Sequence, residues 1–574
     1  MEKKRNLVLK DDVACVICGA AGQGIQTIER ILPPVMKLSG YHVFACKEYM
    51  SRVRGGSNST EIRVASQRVT AFVDRIDILV PLDKGAVPHL EKRISARTVT
   101  IGDKNKLATD RPIIDVPLSK IASEIGGSIY ENIVAAGVIT GLFRIDPETA
   151  NGYIRKFFGK KSEDVINHNI LAIRRGYEIG EEIARSGRIS ITLHKDHGVN
   201  GELLLEGVEA LGFGAIAGGC NFISSYPMTP ATGVFTFLAQ HGDEFGIIAE
   251  QAEDEISAIN MMLGAWYAGA RAMVSTSGGG FALMTEGVSL AGMIESPAVI
   301  NLGQRPGPAT GLPTRTEQGD LEHVLHAGHG EFPRVIYAPG TIHDAFHLMR
   351  RAFDMADKYQ IPVFILSDQF LVDSLHNVPP LDLSGVEVEH HFIETDQEYR
   401  RYRVTKSGVS PRGIPGLGTG FVCLDSDEHD EEGHITEDPD VRVAMVNKRL
   451  RKMESIRKET IPPELIGSRQ YKTLVIGWGT TCGPIREAIE RIGGSDFAFL
   501  YFKQVFPVHG DAVKYMKRAG RLIIVENNAT SQFGRLLRVT TGIEIKEKVL
   551  KYNGMPFSVE ELVRRFRGRR SRNG

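Results

Sequence analysis

Four segments between residues 220 and 320 carry side chains that could do chemistry, and each follows an apolar run of strand length. In SSYPMTPATG, at 224–233, two prolines bracket Met228–Thr229 and hold one hydroxyl on a stiff corner. A plainer reading is that such a corner only ends a strand. In AEQAEDEISAINMMLGAWYAGA, the acids Glu250, Glu253 and Glu255 stand where strand passes into helix, and a helix dipole would favour a carboxylate at any of them. STSGGGFALMTEG sets Ser277 and Gly278 at another strand-to-helix junction. LGQRPGPATGLPTRTEQGDL is a long Gly- and Pro-rich loop with Arg305 at its entrance. A guanidinium fork matches a carboxylate through two parallel hydrogen bonds. The alternative is a surface ion pair worth at most about 1 kcal/mol.

The elements that must position these residues follow from the pattern around them. Over 201–380, the apolar runs GIIA, ARAMVST, SPAVINLG, PRVIYAP and IPVFILSD alternate with helix-like stretches. That rhythm predicts a parallel sheet covered by helices, with ligands beyond the carboxyl ends of its strands. The helix after the three acids should bury Ile256, Ile259, Leu263 and Tyr267. Residues 1–185 read as an earlier α/β domain. Its strand, turn and helix, DVACVICGAAGQGIQTIERILPPVMKLSG, space Gly19, Gly22 and Gly24 as G-x-x-G-x-G. A phosphate or carboxylate could sit at that helix start, or the glycines could serve tight strand–helix packing. Two arginines, Arg52 and Arg54, precede a Gly-Gly turn in KEYMSRVRGGSNSTEIRV. Residues 186–200 read as a linker, and 386–460 as an irregular connecting segment. There the acidic run DSDEHDEEGHITEDPD is a solvated loop rather than a metal site. A third α/β domain, 461–574, begins at YKTLVIGWGTTCGPIREAIERI. The fold class is therefore α/β, several domains with mostly parallel sheets.

Composition narrows the function. At 574 residues the chain exceeds what one core serves. A formal net charge of −1 gives no basic field for nucleic acid or an anionic membrane. No stretch is apolar for long enough to span a bilayer, and MEKKRNLVLKDD lacks the apolar core of a signal peptide. The basic tail RRFRGRRSRNG reads as a frayed terminus. Six scattered cysteines suit a reducing compartment, the cytoplasm, with Cys15 and Cys18 as buried thiols of one strand. No metal ligand set and no cluster-binding cysteine run stands out.

YPMTP resembles the Y-P-I-T-P corner of the 2-oxoacid:ferredoxin oxidoreductases. QRPGPATGLPTRTEQGD and the spacing from Glu255 to GAWYAG resemble the same family's α subunit, while GAAGQG and RGGS resemble its γ subunit, fused ahead of α. The resemblance implies a γ domain over 1–185, a pyrimidine-type thiamine-diphosphate fold over 201–385 and a transketolase-C-like domain over 461–574. It implies thiamine-diphosphate-dependent oxidative decarboxylation of a 2-oxoacid, 2-oxoglutarate first and pyruvate or a broad range next, with coenzyme A and ferredoxin as co-substrates. Glu255 would meet the cofactor's aminopyrimidine ring, with Tyr226, Pro227, Ser277 and Gly278 on the same side. Thr229 would face the substrate's carboxylate or keto oxygen, and Arg305 would bind the carboxylate. Arg315 would serve a second anionic group on a longer substrate. Gly22, Gly24, Arg52 and Arg54 are the candidate contacts for coenzyme A.

The family's G-D-G…Asn element for Mg2+ and diphosphate is not found, and the ENN at 526–528 has no such partner upstream. The resemblance therefore implies a β subunit carrying that element and a [4Fe–4S] cluster, assembled as a (γα–β)2 heterotetramer. Gly207–Val208–Glu209–Ala210 and Pro230–Ala231–Thr232 depart from the family's usual pattern, which bears on substrate detail. The rival readings are a thiamine-diphosphate enzyme without redox chemistry and a non-catalytic assembly subunit.

Overall fold

Every residue of Val13–Gly19 is buried, as expected of a strand covered on both faces. This strand, Asp12–Ala20, lies inside an eight-stranded sheet, parallel to Ile78–Pro81 on one side and antiparallel to Ser57–Ala65 on the other. The computed structural model describes residues 6–50, 56–107 and 109–568. Arg52, Arg54 and the end of the basic tail lie outside the described residues. The chain divides into two units. One takes Met1–Glu206, Asp373–Leu381 and Ser558–Glu560; the other takes Gly207–Val372, Asp382–Phe557 and Glu561–Gly574.

In the first unit Cys15 and Cys18 are both buried, and burial pushes the Cys18 thiol up to about 12. Helix Glu131–Leu142 is buried at every position. It packs on Glu163–Arg185 through glycines on both sides. A Cβ at Gly137 would stand 2.9 Å from Gly176 Cα, and one at Gly180 would stand 2.9 Å from Leu142 N. The backbones thus approach as only glycine permits. Residues 186–200 are more than a linker. Ile189–Thr192 pairs in parallel with Leu7–Lys10, and Asp196 caps the short turn His197–Gly201.

Among the described residues the second unit holds two large sheets and a two-stranded one, Ile393–Thr395 with Gly413–Gly418. The seven-stranded one runs Ile248–Gln251, Phe222–Ser225, Ala272–Ser277, Ala298–Gln304, Pro362–Asp368, Val335–Tyr337, Gln504–Phe506. All its pairings are parallel except the last. The five-stranded sheet is built from Glu464–Gly467 and four strands between Thr473 and Leu550. The mostly parallel α/β architecture is as the sequence predicts. No helix among the described residues is long and apolar enough to cross a membrane.

Residues 386–460 depart from expectation. Pro439–Lys458 is a 20-residue helix, N-capped by Asp438. Its buried face contains Lys448, Arg449 and Lys452 beside Met445 and Ile456, so no apolar period marks it. Glu295, in the left-handed region at φ 49°, receives Lys448 Nζ at 2.6 Å and Lys452 Nζ at 2.7 Å. Burial alone would raise the Glu295 carboxyl, but Lys452, Lys448 and Arg401 hold it well below the carboxylate range. Burial pushes Lys452 down to about 8 despite that partner. The acidic run is not a solvated loop either: His429 is fully buried with its ring 3.8 Å from that of Tyr402, and Glu428 pairs with Arg449 and Arg442.

Two substitutions test these contacts. Glu295→Gln leaves two buried ammonium groups without their counter-charge and should lower stability by about 3–5 kcal/mol, read as an earlier chemical-denaturation midpoint. A shift equivalent to less than about 1 kcal/mol would contradict the ion cluster. Gly176→Ala gains about 1 kcal/mol of helix propensity. However, its Cβ would stand 2.8 Å from Gly137 Cα and closer still to the Val134 carbonyl. We expect a net loss of about 1–3 kcal/mol; a midpoint equal to or above the parent's would show that the helices can separate freely.

Candidate active site

Chain order reverses around strand Phe222–Ser225, whose two neighbours are Ile248–Gln251 and Ala272–Ser277. In an open α/β sheet this reversal leaves a crevice at the strands' carboxyl ends. Beneath the crevice, buried side chains bond from strand to strand. Ser225 Oγ donates to Ser275 O at 3.1 Å, Asn301 Nδ2 to Ser275 Oγ at 2.9 Å, and Ser367 Oγ to Asn301 Oδ1 at 3.0 Å. Ser275 Oγ also donates to Ala231 O at 3.0 Å, and Ser224 Oγ to Ala258 O at 2.6 Å. These bonds fix the YPMTP corner and the helix Glu255–Tyr267 to one floor. None of these five side chains is apparent from the sequence, because isolated polar residues inside apolar strands have no period.

Of the three candidate acids, Glu250 and Glu253 are exposed, whereas Glu255 is 3% exposed. Asp254 N-caps the helix by accepting from Ser257 N, which leaves the Glu255 side chain for other use. Its Oε1 is buried with no hydrogen-bond partner. A Cβ on Gly280 would lie 2.5 Å from that oxygen, so the third glycine of SGGG makes the space the carboxyl fills. The first glycine does the same for another acid: a Cβ on Gly278 would lie 2.8 Å from Asp320 Oδ2. One at Gly279 would meet Ala309 O at 3.7 Å and Met228 Sδ at 3.9 Å. The corner, the glycine turn, the acidic helix and the long loop therefore converge. Ser277 Oγ is also buried without a partner.

Arg305 follows the strand Ala298–Gln304, and its Nη1 donates to Thr229 O at 2.6 Å. The contact made by Thr229 is thus through its carbonyl. Arg305 Nε is buried and unpartnered. Pro230 packs against Gly303, where a Cβ would come within 2.8 Å of its Cγ. Tyr226 and Pro227 are exposed at the rim. Arg315 lies elsewhere, its Cβ close to Gly554. The helix face differs from expectation: Ile259 and Leu263 are buried with Met262 and Trp266, but Ile256 is 45% and Tyr267 39% exposed. Met261 of the same helix, Leu283, and Ile248 on the sheet's edge strand are exposed apolar side chains as well.

The loop's far end is anchored on the five-stranded sheet. Gln318 Nε2 donates to Trp478 O at 2.8 Å, Gln318 Oε1 accepts from Asn527 N at 2.9 Å, and Asn528 Nδ2 donates to Gln318 O at 3.1 Å. The ENN segment thus serves as an internal lock. Its Glu526 is fully buried and accepts from Trp478 Nε1, Asn528 Nδ2, Ser531 Oγ, Phe533 N and Gly534 N. Thr480 donates to Asp368 Oδ2, and burial holds that carboxyl up at about 6.

In the other unit Gly22 and Gly24 adopt φ of 96° and 71°. Gly24 has a packing reason, since its carbonyl accepts from Asn132 Nδ2 at 3.1 Å and a Cβ would run into that amide. The turn is open at Gly22, and the helix Ile25–Leu38 starts without a side-chain cap.

Residues 213–448 match the family described as pyruvate flavodoxin/ferredoxin oxidoreductase, thiamine diphosphate binding, and residues 14–179 match pyruvate ferredoxin/flavodoxin oxidoreductase. The chain is 32% identical to the 2-oxoacid:ferredoxin oxidoreductase subunit alpha of Sulfolobus sp, over 95% of each. It is 26% identical to the 2-oxoglutarate oxidoreductase subunit KorA of Mycobacterium tuberculosis, over 97% of this chain and 91% of that one. Among solved structures, the 2-oxoglutarate:ferredoxin oxidoreductase from Magnetococcus marinus, with 2-oxoglutarate, coenzyme A and succinyl-CoA bound, matches with a TM-score of 0.91 at 29% identity. It covers 97% of this chain and 99% of that one. By these matches, the chain belongs to the 2-oxoacid:ferredoxin oxidoreductases, as an oxidoreductase subunit of their alpha type.

Proposed function

We propose that this chain is the γ–α subunit of an enzyme that converts a 2-oxoacid, coenzyme A and oxidised ferredoxin to acyl-CoA, CO2 and reduced ferredoxin, with 2-oxoglutarate as the first substrate. The observation that carries it is the buried, unpartnered Oε1 of Glu255 at the mouth of the SGGG turn. Burying an acceptor without a partner costs about 1–3 kcal/mol, so its position calls for a ligand donor. Thiamine diphosphate fits: its aminopyrimidine ring can share a proton with that oxygen, and Ser277 Oγ, at the start of the same glycine turn, is a second unpartnered group. When bound, the cofactor supplies the carbon nucleophile that adds to a keto group.

This chain's residues do the rest of the positioning. Glu255 turns Oε1 toward the aminopyrimidine ring, with which it would share a proton. Arg305 keeps its Nε edge for the substrate carboxylate while Nη1 braces the corner. Thr229, whose carbonyl Arg305 Nη1 braces, would offer its hydroxyl to the substrate's carboxylate or keto oxygen, with Tyr226, Pro227 and Gly278 on the cofactor's side.

We assign the diphosphate, its Mg2+ and a [4Fe–4S] cluster to a β subunit in a (γα–β)2 assembly. The exposed apolar side chains Ile256, Met261 and Tyr267 of the Glu255 helix are consistent with that partner, since apolar surface left open commonly marks a protein interface. The turn, open at Gly22 with Gly24 closed by Asn132, supports an anion of coenzyme A at that helix start, and six free thiols suit the cytoplasm.

Purification with the neighbouring gene product, followed by a 2-oxoacid panel with coenzyme A and a low-potential electron acceptor, tests the reading. In that complex, Glu255→Gln should lower turnover by about 100-fold or more with little change in thermal stability. Retained turnover would leave the chain an assembly role. Gly280→Ala should likewise abolish most activity, since its Cβ competes with Glu255 Oε1 for one space; a fully active variant would place the carboxyl elsewhere.

A further inference from the structure

We propose that Asp320 is a positioning residue that admits the 2-oxoacid's carboxylate to Arg305 only when its own carboxyl is protonated, so that substrate binding takes up a proton there. The inference rests on the reading of Arg305 given above. Asp320 opens helix Leu321–His326, and its N–H donates to Gln304 Oε1 at 3.2 Å, which places it beside the strand end that carries Arg305. Its carboxyl lies flat over Gly278, in the space a Cβ would take. Oδ2 is buried with no hydrogen-bond partner, as is Arg305 Nε. Among the described residues, neither group closes an ion pair. An N–H edge and a carboxyl oxygen thus remain unpaired at one site, and an anion docking on the first must meet the second.

As a carboxylate, Asp320 would repel that anion; as an acid, it would donate to it. Burial, with the charge of Glu317, pushes Asp320 up to about 7, while Arg305 acts in the opposite direction. The other charged or titratable groups around it are few. Glu255 lies across the glycine turn, and Asp368 ends the strand that pairs with Gln304. On the following helix, Glu322 pairs with Arg535, and burial keeps His323 below the ordinary histidine range. An arriving anion raises the Asp320 pKa further, so uptake occurs at pH above about 7 and fades below it.

The test uses the assembled complex with its β subunit and 2-oxoglutarate. For the parent, KM should rise by up to about tenfold per pH unit above 7 and level off below it. In Asp320→Asn the amide mimics the neutral acid, so the slope should vanish, with KM at pH 8 close to the parent's at pH 6 and the effect on KM exceeding that on kcat. Calorimetry of the parent in two buffers of different ionisation enthalpy should show proton uptake on 2-oxoglutarate binding at pH 8, which needs no variant. Absence of uptake, or a slope that survives in Asp320→Asn, overturns the inference. Arg305→Gln separates the two readings. A raised KM there with an unchanged slope in Asp320→Asn removes only Asp320's role, whereas an unchanged KM removes the carboxylate site itself.

Discussion

The row of buried hydrogen bonds from Ser225 through Ser275 and Asn301 to Ser367 is the constraint on which the site depends. It crosses four neighbouring strands just below their carboxyl ends. Each bond contributes only about 1 kcal/mol net, but a missing partner leaves a buried donor or acceptor that costs about 1–3 kcal/mol. The row therefore tolerates little slippage. Through Ser275 Oγ it holds the carbonyl of Ala231, and through Ser224 Oγ that of Ala258, so the corner and the acidic helix inherit its precision.

The long loop obtains its precision differently. Residues 306–320 have no ladder of their own, and a loop of that length is costly to order. Gln318 spends its side chain and both backbone groups on Trp478, Asn527 and Asn528 of the other sheet. Those partners are held in turn by Glu526, which accepts four hydrogen bonds from its own segment and a fifth from Trp478 Nε1. Arg305 and Asp320, near the two ends of the loop, are thereby fixed although the peptide between them is irregular.

Much of this arrangement was legible in the sequence. Apolar runs gave the strands, Gly and Pro gave the corners, and the motifs singled out Thr229, Glu255 and Arg305 from dozens of similar side chains. What escaped had physical causes. Helix Pro439–Lys458 buries cations instead of hydrocarbon, so a search for apolar period passes over it. Ile256 and Tyr267 have apolar side chains but remain exposed, since period alone does not say which apolar residues face a core. Strand Ile189–Thr192 is short and paired at a distance in sequence, with Leu7–Lys10. Ser275 and Asn301 belonged to no pattern, and Gln304 and Asp320 stood at the ends of QRPGPATGLPTRTEQGD without a role assigned, because their importance lies in which neighbours they meet.

The crevice has two layers of opposite character. In the floor the polar groups of Ser225, Ser275, Asn301 and Ser367 find partners within the chain. Directly above, Glu255 Oε1, Ser277 Oγ, Arg305 Nε and Asp320 Oδ2 are all buried and all unpartnered. Native proteins rarely carry such atoms, and seldom in a group. Had the fold alone selected them, apolar residues of similar size would do better, because removing both partners of a buried pair is close to neutral while leaving one unmet is not. A bound group able to hydrogen-bond with them would recover that cost. A rigid, satisfied floor keeps these four atoms from collapsing onto neighbours in the meantime, which is how preorganisation is maintained without ligand present.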